Sequence, residues 1–151
     1  APARPLPDEL YVALDVITPN ESEAAALVGF PVRDTASAER AAHWFLDRGV
    51  QQIVIKLGSK GAYWHDGATG GFLPAFAVEA VDTVAAGDAF NGGFAAAISA
   101  GHAFNTAIRW GLAGGALSVT HHGAQPSMPD RAALLALLQD GTFVAPPSAF
   151  R

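Results

Sequence analysis

Cysteine is absent from all 151 residues. That excludes a disulfide framework, a thiolate nucleophile and a cysteine zinc site, and it fits a reducing compartment, so a cytoplasmic location is expected. Positive charge is also scarce: nine Lys and Arg against fourteen Asp and Glu give a net charge of −5. With no basic run, a nucleic-acid or general polyanion binder is not expected, and any phosphate site must be local. No long apolar run opens the chain, because Ala1-Pro2-Ala3-Arg4-Pro5-Leu6-Pro7 lacks the core of a signal peptide. The most apolar region, Ala89 to Val119, is broken by Asn91, His102, Asn105 and Arg109 and by glycines, so it reads as buried helices and no membrane partner is expected. Internal repeats and low-complexity segments are missing as well.

What remains is the composition of a globule, 50% hydrophobic and 15% charged, long enough to bury a core. Tyr11 to Ile17 reads as a strand buried on both faces, stopped at Thr18-Pro19. Asn20-Glu21-Ser22-Glu23 is a helix start with Asn20 as cap and Glu23 three residues on, and Gly29 ends that helix. A second helix is expected from about Ser37 to Arg48, closing at Gly49. Gln51 to Leu57 is the next strand, so strand, helix, helix, strand resembles a crossover between parallel strands. After the turn Gly58-Ser59-Lys60-Gly61, segments Ala62 to His65 and Gly71 to Leu73 form a hairpin with Pro74 at an edge. A β-leaning approach, Phe76 to Val81, leads to Asp82. Helices are then expected at about Gly87 to Ala100, Ala103 to Val119 and Asp130 to Leu138, and the tail with Pro146 and Pro147 is expected to be loosely held. Phe90, Phe94, Phe104 and Trp110 read as core.

The chemistry is concentrated in Asp82-Thr83-Val84-Ala85-Ala86-Gly87-Asp88-Ala89-Phe90-Asn91-Gly92-Gly93, a small-residue loop feeding a helix start. Such a start leaves backbone N–H groups unpaired and carries partial positive charge. Ala85, Ala86 and Gly87 have almost no side chain, so a phosphate can approach their N–H groups closely. Asp88 reads either as a first-turn carboxylate that stabilises the helix or as a catalytic group.

The string D-T-V-A-A-G-D-A-F-N-G-G resembles the signature of the ribokinase-like carbohydrate kinases. The resemblance implies an α/β fold, the three-layer α/β/α sandwich of that family, with Asp88 as catalytic base in contact with the substrate and Ala85, Ala86 and Gly87 as an anion hole. Where Ala85 or Ala86 stands the family commonly has Gly. Three further strings extend the likeness. T-P-N-E-S-E is a capping arrangement in bare terms, and the resemblance implies that Asn20 and Glu23 help position Mg²⁺ of the nucleotide, largely through water. Lys56-Leu57-Gly58-Ser59-Lys60-Gly61 resembles a nucleotide loop, which implies contacts from Lys56, Gly58, Ser59 and Gly61, although it is equally an ordinary glycine turn. Lys56 stands where the family often has a small polar residue. T-H-H-G-A-Q-P-S, Thr120 to Ser127, implies a monovalent cation site for K⁺ made by the Asp82 carboxylate, the Ser127 hydroxyl and the carbonyls of Val84, Ser118, His121 and Gly123, an all-oxygen set suited to a hard cation. Asn105 and Leu112 lie on the helix implied to border the adenine. The His121-His122 pair has no further ligand at metal spacing, so a transition-metal site is not expected.

The implied activity is ATP-dependent phosphorylation of a sugar hydroxyl, with ribose as first choice. Fructokinase, adenosine kinase and ketodeoxygluconate kinase activities, or a nucleotide-binding fragment without turnover, are the alternatives. ATP and a small sugar are the implied partners, and the intact enzyme is implied to be a homodimer. Two parallel strands and a hairpin against about five helices leave an open sheet edge. The likeness runs over the C-terminal half of such an enzyme, so residues 1–151 are expected to be its nucleotide-binding portion, with the sugar-binding and lid portion absent.

Overall fold

The computed structural model describes residues 3–145; the tail with Pro146 and Pro147 lies outside them. The chain divides into two compact units, Ala1–Leu73 and Pro74–Arg151.

The first unit holds α1 (Asp8–Tyr11), β1 (Val16–Ile17), α2 (Glu21–Val28), α3 (Thr35–Leu46), β2 (Gln52–Lys56), a 3₁₀ turn (Gly58–Lys60), β3 (Gly61–His65) and β4 (Gly70–Pro74). The strands form one mixed sheet in the order β1-β2-β3-β4. β1 is parallel to β2, with Ile17 opposite Ile53, and β2 is antiparallel to β3, with Ile53 opposite His65 and Ile55 opposite Tyr63. β2 is the central apolar run, and Ile53, Val54 and Ile55 are fully buried. Ala38, Ala41, Ala42 and Phe45 from α3 and Ala24 and Val28 from α2 share a core with Ile53, Ile55 and Tyr63, the helix-on-sheet layering of α/β proteins.

The seven-residue strand expected from Tyr11 to Ile17 is only two residues long. Leu10, Ala13 and Leu14 donate their N–H groups three residues back, to Pro7, Leu10 and Tyr11. The chain therefore turns, and it carries Tyr11 into the core edge-on to Trp44 at 5.5 Å. Val12 is left 63% exposed. The apolar letters there anchor a turn through one aromatic ring rather than lining two faces of a strand.

The second unit holds α4 (Ala86–Ser99), α5 (Phe104–Ser118) and α6 (Arg131–Asp140). The β-leaning approach Phe76 to Val81 does not become a strand. Phe76 makes one antiparallel bridge to Phe143, and beyond it the described residues of this unit offer no strand to pair with. α4 and α5 run antiparallel and very close. A Cβ on Gly93 would lie 2.6 Å from the Trp110 carbonyl oxygen, and one on Gly114 2.6 Å from that of Ala89. Only glycine permits that approach. Phe90, Ala97, Ala107, Ile108 and Ala113 fill the rest of the contact and are buried.

Among the described residues, no helix is long and apolar enough to cross a membrane.

Candidate active site

The residues singled out in the sequence fall into two groups, one in each unit. In the second unit the loop before α4 is shaped by Asp82. Its Oδ1 accepts the Val84 N–H at 3.0 Å and its Oδ2 accepts the Gly123 N–H at 3.0 Å. The carboxylate thus ties its own loop to the loop after α5, 41 residues away. The Val119 carbonyl adds to the tie by accepting the N–H groups of Val81 at 2.7 Å and Asp82 at 3.1 Å.

The turn then passes through Ala85 in the left-handed region, φ 64° and ψ 9°. Ala85 is the only non-glycine with positive φ among the described residues, and for an alanine that conformation costs about 1–2 kcal/mol. Backbone strain of this kind persists where the surroundings hold it in place. Here the Asp82 clamp holds it.

α4 starts without a side-chain cap. Ala89 N–H bonds back to Ala85 at 2.9 Å, and Ala86 N–H makes only a long 3.4 Å contact to Thr83. The N–H groups of Ala85, Gly87 and Asp88 have no protein acceptor among the described residues. Gly87 and Asp88 are exposed and Ala85 and Ala86 half-buried. The result is a set of small, bare donors at the positive end of a 14-residue helix, with a carboxylate in its first turn. Chemically this arrangement can hold an anion and set a proton acceptor beside it.

The loop after α5 is internally bonded. Ser127 is 3% exposed and donates to the Ala124 carbonyl at 2.8 Å, which leaves its oxygen able to accept. Ser118 is fully buried, its hydroxyl donating to Gly115 at 2.9 Å and its carbonyl accepting His121 N–H at 3.3 Å. Each Asp82 oxygen accepts one amide and keeps a further lone pair. Asp82, Val84, Ser118, His121, Gly123 and Ser127 thus offer oxygen donors, which fit a hard monovalent cation. Leu112 is buried on α5, 7% exposed, and Asn105 is exposed in its first turn. Among the described residues no cluster of three His, Cys, Asp or Glu can hold a metal ion.

The Gly123 and then the Val84 amide hold the Asp82 carboxyl below the usual carboxylate range, and the charge of His122 adds to them. A carboxyl lowered in the folded state contributes stability above its unfolded value and loses it as pH falls through the folded value. Acidification below about pH 4 is therefore expected to release the Gly123 N–H, seen as loss of its protection from hydrogen exchange. An Asp82→Asn variant should lack that acid transition; an unchanged transition would remove Asp82 from the clamp.

In the first unit, Asn20 and Glu23 form the full capping box expected. Asn20 Oδ1 accepts Glu23 N–H at 2.8 Å and Glu23 Oε2 accepts Asn20 N–H at 2.7 Å. Glu23 Oε1 makes no hydrogen bond among the described residues, so a water-mediated contact to a hydrated Mg²⁺ fits the box without breaking it. A parallel bridge sets Asn20 beside Lys56, whose N–H donates to the Pro19 carbonyl at 2.9 Å. The turn beyond Lys56 exposes Gly58 and Ser59, while Gly61 is buried. Lys60 anchors it by donating to the Arg33 carbonyl at 2.8 Å and to Glu21 at 3.2 Å.

Sequence reasoning did not find Lys60 or the pair Gly114-Gly115. A Cβ on Gly115 would come within 3.2 Å of the Ala86 carbonyl oxygen, so the two glycines underlie the first turn of α4. The available signal was a Gly-Gly step inside a helical pattern, which costs about 1 kcal/mol per residue unless close packing requires it.

Residues 1–131 match the family model for pfkB family carbohydrate kinases. The chain is 46% identical to a ribokinase of Haemophilus influenzae over 139 residues, covering 92% of this chain and 45% of that protein. The structure of Arabidopsis thaliana ribokinase complexed with ribose and ATP superposes with a TM-score of 0.81 at 37% identity, over 89% of this chain and 44% of that one. A putative ribokinase II from E. coli, in complex with ATP and Mg²⁺, gives 0.76 at 28% identity, over 87% and 41%. The chain thus spans about half the length of the relatives it matches. The α/β fold is of the ribokinase type, and with the family model matched over most of its length the chain belongs to the pfkB family of carbohydrate kinases.

Proposed function

We propose that this chain is the C-terminal, nucleotide-binding portion of a kinase that transfers the γ-phosphoryl group of ATP to a sugar hydroxyl, converting D-ribose to D-ribose 5-phosphate. The observation that carries this reading is the bare start of α4: amides of Ala85 and Gly87 with no protein acceptor, directly before the exposed carboxylate of Asp88. Ribokinase relatives favour ribose among sugars.

In this mechanism Asp88 accepts the proton of the primary hydroxyl as its oxygen attacks the γ-phosphorus and the bond to the bridging oxygen of ADP breaks. The N–H groups of Ala85, Ala86 and Gly87 donate to the non-bridging oxygens, where negative charge is carried in the transition state. The donors are fixed by the Asp82 clamp before substrate arrives, so no reorganisation is needed at the moment of transfer. Lys56, Gly58, Ser59 and Gly61, all in the first unit, bind the nucleotide. Asn20 and Glu23 would hold Mg²⁺ through water, supplying charge neutralisation on the phosphates. Asp82, Ser127 and the carbonyls of Val84, Ser118, His121 and Gly123 would hold K⁺, stiffening the loop pair.

A coupled ADP-release assay on the intact enzyme, with ribose, fructose, adenosine and 2-keto-3-deoxygluconate, tests the reading. Ribose is expected to give the highest kcat/KM. A tenfold preference for another substrate would overturn the assignment of ribose, and no turnover with any of them would overturn kinase activity on this substrate class.

A further inference from the structure

The turn Gly58–Lys60 is held at its two ends in different ways. At the β2 end the backbone does it: Lys56 N–H donates to the Pro19 carbonyl at 2.9 Å, and a parallel bridge sets Lys56 beside Asn20. Within the turn, Leu57 N–H donates to the Gly61 carbonyl at 2.8 Å and Lys60 N–H to that of Leu57 at 3.2 Å. These two bonds close the turn on itself. Its far side is tied to the helices by the Lys60 side chain, whose Nζ donates to the Arg33 carbonyl at 2.8 Å, 27 residues back, and to Glu21 Oε1 at 3.2 Å, 39 residues back. Glu21 is the first residue of α2 and stands between the two members of the capping box, Asn20 and Glu23. Its other oxygen faces the turn, since a Cβ on Gly58 would lie 4.0 Å from Oε2. The Lys60 charge reaches the start of α3 as well. Asp34 is held below the usual carboxylate range by its hydrogen bonds with Ser37 first, and Lys60 adds to the effect.

We propose that Lys60 is a positioning residue: its ammonium, shared by Glu21 and the Arg33 carbonyl, sets the nucleotide turn in fixed register with the box of Asn20 and Glu23, so that both engage one Mg²⁺-bound nucleotide. The inference rests on the reading of turn and box as parts of the nucleotide site. An ammonium on a long stem has three donors and no acceptor, so a single group can hold a carboxylate and a carbonyl at once. An ion pair whose side chains are 49% and 36% exposed adds little to stability. What it fixes is position. Two subsites already held in register bind a ligand that spans them more tightly than two that move independently, because the ordering is done before the ligand arrives. Lys60 therefore acts on the gain in affinity that Mg²⁺ gives a nucleotide.

The test is calorimetry on the intact kinase, with ADP titrated in the presence of Mg²⁺ and again with the metal chelated. The ratio of the two affinities measures how far turn and box act together. Lys60→Met keeps the apolar stem and removes the donors, and it should lower that ratio about five- to tenfold, mainly through weaker binding of Mg·ADP. Lys60→Arg keeps donors for a carboxylate and a carbonyl and should bring the ratio to within about twofold of the parent. Glu21→Gln added to Lys60→Met should change nothing further, because the tie is already cut. An equal loss in both affinities would make Lys60 a support of the turn alone. A larger loss for metal-free ADP, whose phosphates carry more net charge, would make it a direct phosphate contact. Either result overturns the inference. A parent that gains affinity from Mg²⁺, with a gain that Lys60→Met leaves intact, sinks this inference alone. A parent that binds neither form, or gains nothing from Mg²⁺, sinks the nucleotide-site reading on which it rests.

Discussion

Asp88→Asn is expected to lower kcat of the intact kinase by about two to four orders of magnitude, the range for loss of a general base. The amide is the same size as the carboxylate and keeps the first turn of α4 in place, but it cannot take a proton at neutral pH. The donors of Ala85, Ala86 and Gly87 are untouched, so KM for ATP should stay within a few-fold. The two readings of Asp88 separate cleanly here. A carboxylate that only complements the helix dipole contributes about 0.3–1 kcal/mol of stability, and its loss would shift a melting curve while leaving turnover nearly intact. Steady-state kinetics beside a thermal melt decide between them, and turnover within tenfold of the parent would take Asp88 out of the reaction.

Gly114→Ala should damage both stability and rate, although Gly114 touches no substrate. Its new methyl would sit 2.6 Å from the Ala89 carbonyl oxygen, a backbone atom that cannot rotate away, so α4 and α5 must part. Overpacking of this kind costs about 1–3 kcal/mol, more than the roughly 1 kcal/mol that alanine returns in helix propensity. Ala89 follows Asp88, so the displacement falls on the turn that bears Asp88 and the amides of Ala86 and Gly87. Gly92→Ala in the isolated chain is the matched comparison. Nothing lies within 4 Å of a Cβ there, and that variant should be neutral or stabilised by up to about 1 kcal/mol. Urea unfolding of both variants, with kcat for Gly114→Ala in the intact enzyme, checks the pair. A Gly114→Ala protein as stable and active as the parent would mean that the helix contact does not set the site.

Local signals in the sequence were read well where one residue's chemistry decides the backbone. The box of Asn20 and Glu23 needs only three-residue spacing, and it forms as spaced. β2, Gln52–Lys56, follows from the unbroken apolar run Ile53-Val54-Ile55 at its centre. α3 begins at Thr35, two residues before the expected start, because Asp34 caps it, accepting Ser37 N–H at 2.8 Å. Tyr11 to Ile17 yields a shorter strand than expected, and the β-leaning Phe76 to Val81 makes only the Phe143 bridge among the described residues, because apolar content alone does not distinguish a strand from a turn pinned by Tyr11 or a segment short of strand partners. At the site, the string from Asp82 to Gly93 reads as a small-residue loop feeding a helix start, and α4 begins within it at Ala86. The left-handed backbone of Ala85 was not legible, since alanine disfavours it and the compensation comes from Asp82 and Gly123, far apart in sequence. Gly114 and Gly115 escaped for the same reason: their role exists only where a second helix lies against them.

Catalysis as proposed depends on the amides opening α4 holding the transferring phosphoryl group beside Asp88. Its most direct test is amide NMR of the intact kinase with Mg·ADP, ribose and aluminium fluoride, a mimic of the phosphoryl group in flight. The N–H resonances of Ala85, Ala86 and Gly87 are expected to shift together and become protected from exchange, over and above their response to Mg·ADP alone. Resonances that stay at their Mg·ADP positions while those of Gly58 and Gly61 report bound nucleotide would contradict it.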